Sequence, residues 1–217
     1  MLNMNRSTME KDSRGGLRVR RAISRARLPI LSVAGAYGLS ILVGIIMVHF
    51  GTPFALEYRD KIVGVAAAQD PTALANNAGE NVRAAVLDFA GNLVLGSMPK
   101  AVMGMAIVFP YPLIAYQGWI GGIVSVRGDH TSRLNSIASG TYYLLTLILQ
   151  ISAYSLSVGA GVNVGRSLLR PPPYYQGAKL AWIFPKEAIW DLVRIYLVAT
   201  PVFFIASLWE FLSPWNF

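Results

Sequence analysis

The distribution of apolar and polar positions divides the chain into long uncharged runs separated by short polar connectors. From Leu28 to Phe50 there are 23 residues without a charge; as a helix they reach about 34 Å, enough to cross a bilayer core. The run is too long for a signal-peptide core, and the bulky residues after it offer no cleavage site, so an uncleaved anchor is expected. Residues 51–83 are mixed in character and predict an exterior loop, with a short surface helix from Phe54 to Ala68.

Between Ala84 and Val126 the only charges are Asp88 and Lys100. This stretch is too long for one span and suits two joined by a turn. The turn can fall at Ser97-Met98-Pro99-Lys100 or at Pro110-Tyr111-Pro112. The first places the lysine at an interface, whereas the second leaves it within the membrane at a cost of a few kcal/mol. The first is therefore preferred, giving spans at 84–98 and 101–126, the earlier of them short or re-entrant. A polar turn, Arg127 to Arg133, leads to Leu134–Gly165, which carries no charge. Its first residues are expected at the surface, with the fourth span at 141–165. A basic, proline-rich connector (166–187) precedes a last span at 188–211, and Trp209, Trp215 and Phe217 close the chain as headgroup-level aromatics. The fold expected is all-α: a single polytopic bundle of about five spans (28–217) behind a basic tail (1–27).

Composition agrees, since 54% of residues are hydrophobic and 14% charged, against about a quarter charged in soluble domains. The net charge of +8 is concentrated before the first apolar run, at Arg6, Lys11, Arg14, Arg18, Arg20, Arg21, Arg25 and Arg27. Such a stretch orients a helix and attracts anionic lipid, and no groove-reading pattern accompanies it to suggest nucleic acid. With the N-terminus inside, the tail, Lys100, Arg166, Arg170, Lys179 and Lys186 are cytoplasmic, while Arg59, Lys61, Arg83, Arg127 and Arg133 lie outside. The asymmetry follows the positive-inside rule.

Candidate chemistry is sparse. Cysteine is absent and only His49 and His130 are present, so no metal or cofactor site is expected. Ser139-Gly140 has no later histidine to serve as its base, and zincin, hydrolase-elbow and phosphate-loop motifs are missing. The chain does not read as an enzyme.

Polar residues within apolar runs mark inward faces. Asn77, Asn81, Asp88 and Asn92 fall on one helical stripe; Glu187, Asp191 and Arg194 lie at i, i+4 and i+7; Gln150, Asn163 and Glu210 stand singly. Packing or partner contacts explain them more simply than ion conduction, because they form separated islands. Small residues recur four apart at Ala34/Gly38, Ser40/Gly44, Gly118/Gly122, Ser155/Gly159 and Gly161/Gly165, predicting close helix crossings.

From about Asn76 to Pro214 the chain resembles the stage II sporulation protein M family. The resemblance is carried by Asn81-Val82-Arg83-Ala84-Ala85 with Phe89-Ala90-Gly91 and Gly96, by Tyr116-Gln117-Gly118-Trp119-Ile120-Gly121, by Ala153 to Gly165, and by Ile205 to Pro214. Where the family has His-Gly followed by Glu, this chain has Thr146-Leu147-Ile148-Leu149-Gln150, which removes the ionisable pair. The resemblance implies a prokaryotic cell-membrane protein, non-enzymatic, that holds or recruits other membrane subunits or further copies of itself. The alternative is a permease-like subunit working with a separate ATPase on a lipid or small solute, docking it through the 166–186 connector and Tyr174 and Tyr175.

Overall fold

The computed structural model describes residues 3–177, 179–180 and 183–215, the first thirteen of them and Leu180 by backbone alone. Phe217 and the side chains of Arg6, Lys11 and Arg14 lie outside the described residues. The chain is all-α apart from a minimal hairpin. Helix α1 (Asn3–His49) is followed by α2 (Pro53–Gln69), α3 (Pro71–Asn77), α4 (Asn81–Ala90), a π-helical segment (Gly91–Ser97), α5 (Met98–Gly104), α6 (Pro110–Ile123), α7 (Ile137–Leu169) and α8 (Lys186–Leu212). Strands β1 (Lys179–Leu180) and β2 (Phe184–Pro185) pair antiparallel in the connector before α8. Among the described residues, three helices are long and apolar enough to cross a membrane: Gly16–His49 within α1, α7 and α8.

The basic tail is not separate from the first apolar run. One helix continues through both, and Ala22 and Ala26 are buried against Ala160 of α7 and Ile195 of α8. Pro29 is absorbed inside it. The helix ends at Gly51, whose φ of +68° is the left-handed conformation that glycine adopts without steric cost.

The largest departure from the sequence reading concerns 84–126. The helix does not break at Ser97–Lys100: α4, the π segment and α5 form one continuous helical run from 81 to 104, about 35 Å long. Pro99 cannot donate a backbone bond, and its ring crowds the preceding turn. The widened π turns ahead of it, with Met98 N–H reaching back to the Leu93 carbonyl, accommodate the proline without ending the helix. Lys100 consequently sits within a helix and not in a turn. Its ammonium donates to the Gly96 carbonyl at 3.2 Å and lies 5.1 Å from the Tyr154 ring centre.

The break falls instead at residues 105–109, before Pro110-Tyr111-Pro112. Both prolines occupy the first turn of α6, where backbone N–H groups have no helical partner in any case. The reversal is tight: Val108 N–H bonds to the Ala106 carbonyl at 2.7 Å around Ile107, held at φ 62°, a strained conformation for a β-branched residue. The short segment is therefore the third, 110–123, about 21 Å long. The segment before it, expected to be short at 84–98, is helical from 81 to 104. Helix α7 also starts earlier than expected, at Ile137, with the Ser136 hydroxyl capping the Ser139 N–H at 3.2 Å.

Helix α7 is the hub, with 61% of its most apolar window buried against 22% for α1 and 28% for α8. It packs on α1, α5 and α8, while α6 packs on α1 and α4 on α8. Contacts fix the directions. Tyr111 meets Ser32, and Gly118 and Gly122 meet the α1 backbone at Tyr37 and Ile41, so α6 runs parallel to α1. Asn92 meets Tyr154, and Gly161 and Gly165 meet Ala101 and Met105, so the 81–104 run is parallel to α7. The five helical segments thus alternate in direction. Their core holds Tyr37, Tyr154 and Phe203 in edge-to-face contact, with centroids 6.0 and 5.0 Å apart.

Four of the five small-residue pairs lie at crossings. Gly44 abuts Trp119 and Gly122, Gly159 abuts Ile30, and Gly161 rests directly on the Ala101 carbonyl. Ser155 is buried one turn before Gly159. Ala34/Gly38 is the exception, because Gly38 has nothing near it. Gly161→Val should therefore destabilise the protein by about 1–3 kcal/mol or more through overpacking, whereas Gly38→Ala should be neutral. Thermal unfolding of both variants in the same detergent checks the contrast.

Candidate functional site

Two polar constellations stand out. The first joins the beginning of α8 to α1 and the connector. Glu187, Asp191 and Arg194 fall on one face of α8 by helical periodicity, and Arg194 donates to Glu187 Oε1 at 2.6 Å and Asp191 Oδ1 at 2.7 Å. Packing of Ala22 and Ala26 on α8 brings Arg25 alongside, 3.1 Å from Asp191 Oδ2 and 3.5 Å from Glu187 Oε1. The Asp191 side chain is only 1% exposed, so it must be fully partnered. Tyr175 supplies a further donor to Oδ2 at 2.9 Å, and itself accepts from Asn163 Nδ2 of α7 at 2.8 Å. Burial, reinforced by the neighbouring Asp191 charge, pushes the Tyr175 phenol far up, so it remains an O–H donor at neutral pH. Arg25 lies 5.0 and 5.8 Å from the Tyr174 and Tyr175 ring centres. The two tyrosines, read from sequence as part of a docking surface, are thus drawn onto the tail, and Tyr175 is buried.

The second constellation lies between α4, α7 and α8. Asp88 Oδ2 accepts from Ser207 at 2.7 Å; Glu210, three residues on, accepts from Gln150 Nε2 at 3.2 Å; Tyr154, four residues on from Gln150, donates to Asn92 at 2.7 Å. Asn92 is one turn from Asp88, so three hydrogen-bonded pairs lie within a turn or so of one another where these helices meet. Residues read as separate islands are thus brought to one region of the bundle. Asn81 is exposed at the start of α4 and Asn77 ends the separate helix α3, so neither joins it. Ser207 and Tyr154 were not recognisable beforehand, being an ordinary serine and an ordinary core aromatic until their helices are placed.

On the opposite side of the bundle, α2 meets the 124–136 turn. His130 Nε2 lies 2.9 Å from Asp60 Oδ2, and His49 Nε2 lies 2.8 Å from Ser132 Oγ. Arg59, aided by His130, holds the Asp60 carboxyl below the ordinary carboxylate range.

Among the described residues no group of three potential metal ligands forms. What these networks can do is hold helices in a fixed register. Comparison of the chain with protein-family models, curated proteins and solved structures finds no match.

Removing Asp191 leaves the partly exposed Arg25 and Arg194 with Glu187 and takes the acceptor from Tyr175. Asp191→Ala should cost about 2–3 kcal/mol, whereas Tyr175→Phe should cost about 1 kcal/mol; paired thermal melts in detergent distinguish the two. Because the Asp60 pKa is depressed, its contribution is complete above the unfolded value of about 3.9 and is lost as pH falls through the lower folded value. Faster hydrogen exchange in α2 on acidification, absent in Asp60→Asn, is the expected signature.

Proposed function

We propose that this chain is a cell-membrane protein of a prokaryote, crossing the bilayer five times with its N-terminus in the cytoplasm. It acts as a scaffold or accessory subunit of a larger membrane complex. The observation that carries this reading is the fate of its polar groups. Asp88, Asn92, Gln150, Asn163, Asp191 and Glu210 are each engaged by another helix or the connector, as a holding framework requires. Large apolar side chains remain exposed on the outer faces, among them Leu39, Leu42, Leu95 and Val102. That surface suits lipid or a neighbouring subunit.

The alternation of the five helical segments supports five crossings. The positive-inside orientation is supported by Arg18, Arg21, Arg166 and Arg170 lying toward one end, with Arg59, Arg127 and Arg133 toward the other. The resemblance of 76–214 to the stage II sporulation protein M family supports a holding role over catalysis.

The test is the mass of the particle extracted at native expression into polymer-bounded membrane discs. A complex well above the 23.6 kDa of a single chain is expected, with stoichiometric partner subunits or further copies. A monodisperse single-chain particle would sink the proposal.

A further inference from the structure

The end of the bundle that carries the Asp191 network also carries an open cleft between the start of α8, the connector and α1. Its volume is about 570 Å³, within the range of small-molecule sites. The lining is divided along its length. At the polar end stand Arg18, Lys186 and Arg194, and an adjoining cleft adds Arg21 and Arg25. Among the described residues, these five cations face only the carboxylates of Glu187 and Asp191, so positive charge is in excess. The other end consists of Trp190, Val193 and Leu197, which are 48%, 42% and 66% exposed.

Lys186, Trp190, Val193 and Leu197 follow one another at helical spacing along a single outward stripe of α8. The stripe therefore begins cationic, passes through an indole and becomes purely aliphatic. A soluble phosphate would use only its first turn, and an uncharged lipid would leave the cations unanswered. An amphiphile with an anionic head and a hydrocarbon tail matches both parts.

We propose that this cleft binds the headgroup of an anionic phospholipid, with an acyl chain laid along Trp190, Val193 and Leu197. The proposal rests on the reading that α1 and α8 cross a bilayer, and it is independent of any partner subunit. Glu187, Asp191 and Arg194 set the shape of the polar end by bonding one another; Arg18 and Lys186, both exposed, are the cations to vary without touching that network.

The test is native mass spectrometry of the full-length protein in detergent micelles supplemented with equal amounts of phosphatidylglycerol or phosphatidylcholine. One phosphatidylglycerol should be retained under conditions that strip phosphatidylcholine. An Arg18→Gln, Lys186→Gln double variant should bind it about 25-fold more weakly, at about a fivefold factor per surface cation. Brominated phosphatidylglycerol should quench tryptophan emission more than brominated phosphatidylcholine, and the difference should vanish in Trp190→Phe.

Equal retention of the two lipids by the unaltered protein overturns the proposal, and that comparison requires no variant to fold. An unchanged affinity in the double variant also overturns it. Displacement of phosphatidylglycerol by millimolar inorganic phosphate would assign the cleft to a free anion and defeat the lipid assignment. A single-chain particle in membrane discs would remove the scaffold reading while leaving a positive lipid result intact.

Discussion

A carboxylate that is almost wholly removed from solvent must be matched on every side, and Asp191 imposes that requirement on this fold. Its three donors come from α1, α8 and the connector, and the last of these is held by α7 through Asn163. Three long helices and one loop are thereby tied to a single side chain. Replacing such a buried charge cluster by apolar residues can be neutral for stability, so its value is best understood as registry. An apolar substitute would allow α1 to slide or rotate along α8, whereas the Arg25 contact admits one arrangement. The three pairs between Asp88 and Glu210 apply the same restriction elsewhere in the bundle, each tying two helices with one hydrogen bond.

Much of the architecture is written in the apolar runs. Leu28–Phe50, Leu134–Gly165 and the run after Lys186 are long enough to specify helices without help from context, and the small-residue pairs at Gly118/Gly122 and Gly161/Gly165 indicate which faces approach closely. The region 84–126 was ambiguous because two proline sites compete to end a helix. Local chemistry favoured Pro99, since that choice spares Lys100 from burial. The fold resolves the competition otherwise because a π-helical segment can absorb Pro99, while Tyr154 and the Gly96 carbonyl together receive the ammonium. Those compensations come from another helix and from hydrogen bonds of rare type, and neither leaves a local trace.

The site residues divide in the same way. Glu187, Asp191 and Arg194 are legible as a unit because helical spacing alone brings them together. Arg25 is not, because within a run of arginines nothing distinguishes the one whose position on α1 turns it toward α8. Tyr175 sits in a proline-rich connector that reads as exposed, and only closure of the loop over α8 buries it. Gln150 and Glu210 are 60 positions apart, and their contact follows from antiparallel packing that no pattern within either helix encodes.

The short α6 has a consequence for the surrounding lipid. On the five-crossing reading, about 21 Å of helix stands where a hydrocarbon layer is about 30 Å thick. The reversal at 105–109 largely satisfies its own backbone, with Met105, Ala106, Ile107 and Val108 all donating to carbonyls nearby, so it tolerates being drawn below the headgroups. On that same reading, lipid beside α6 would dimple inward, while lipid beside α7 and α8 would keep its full depth. A protein that deforms one flank and not the other experiences a lateral force in any membrane of uneven thickness. It would collect, with that flank leading, wherever the bilayer is already thin or bent.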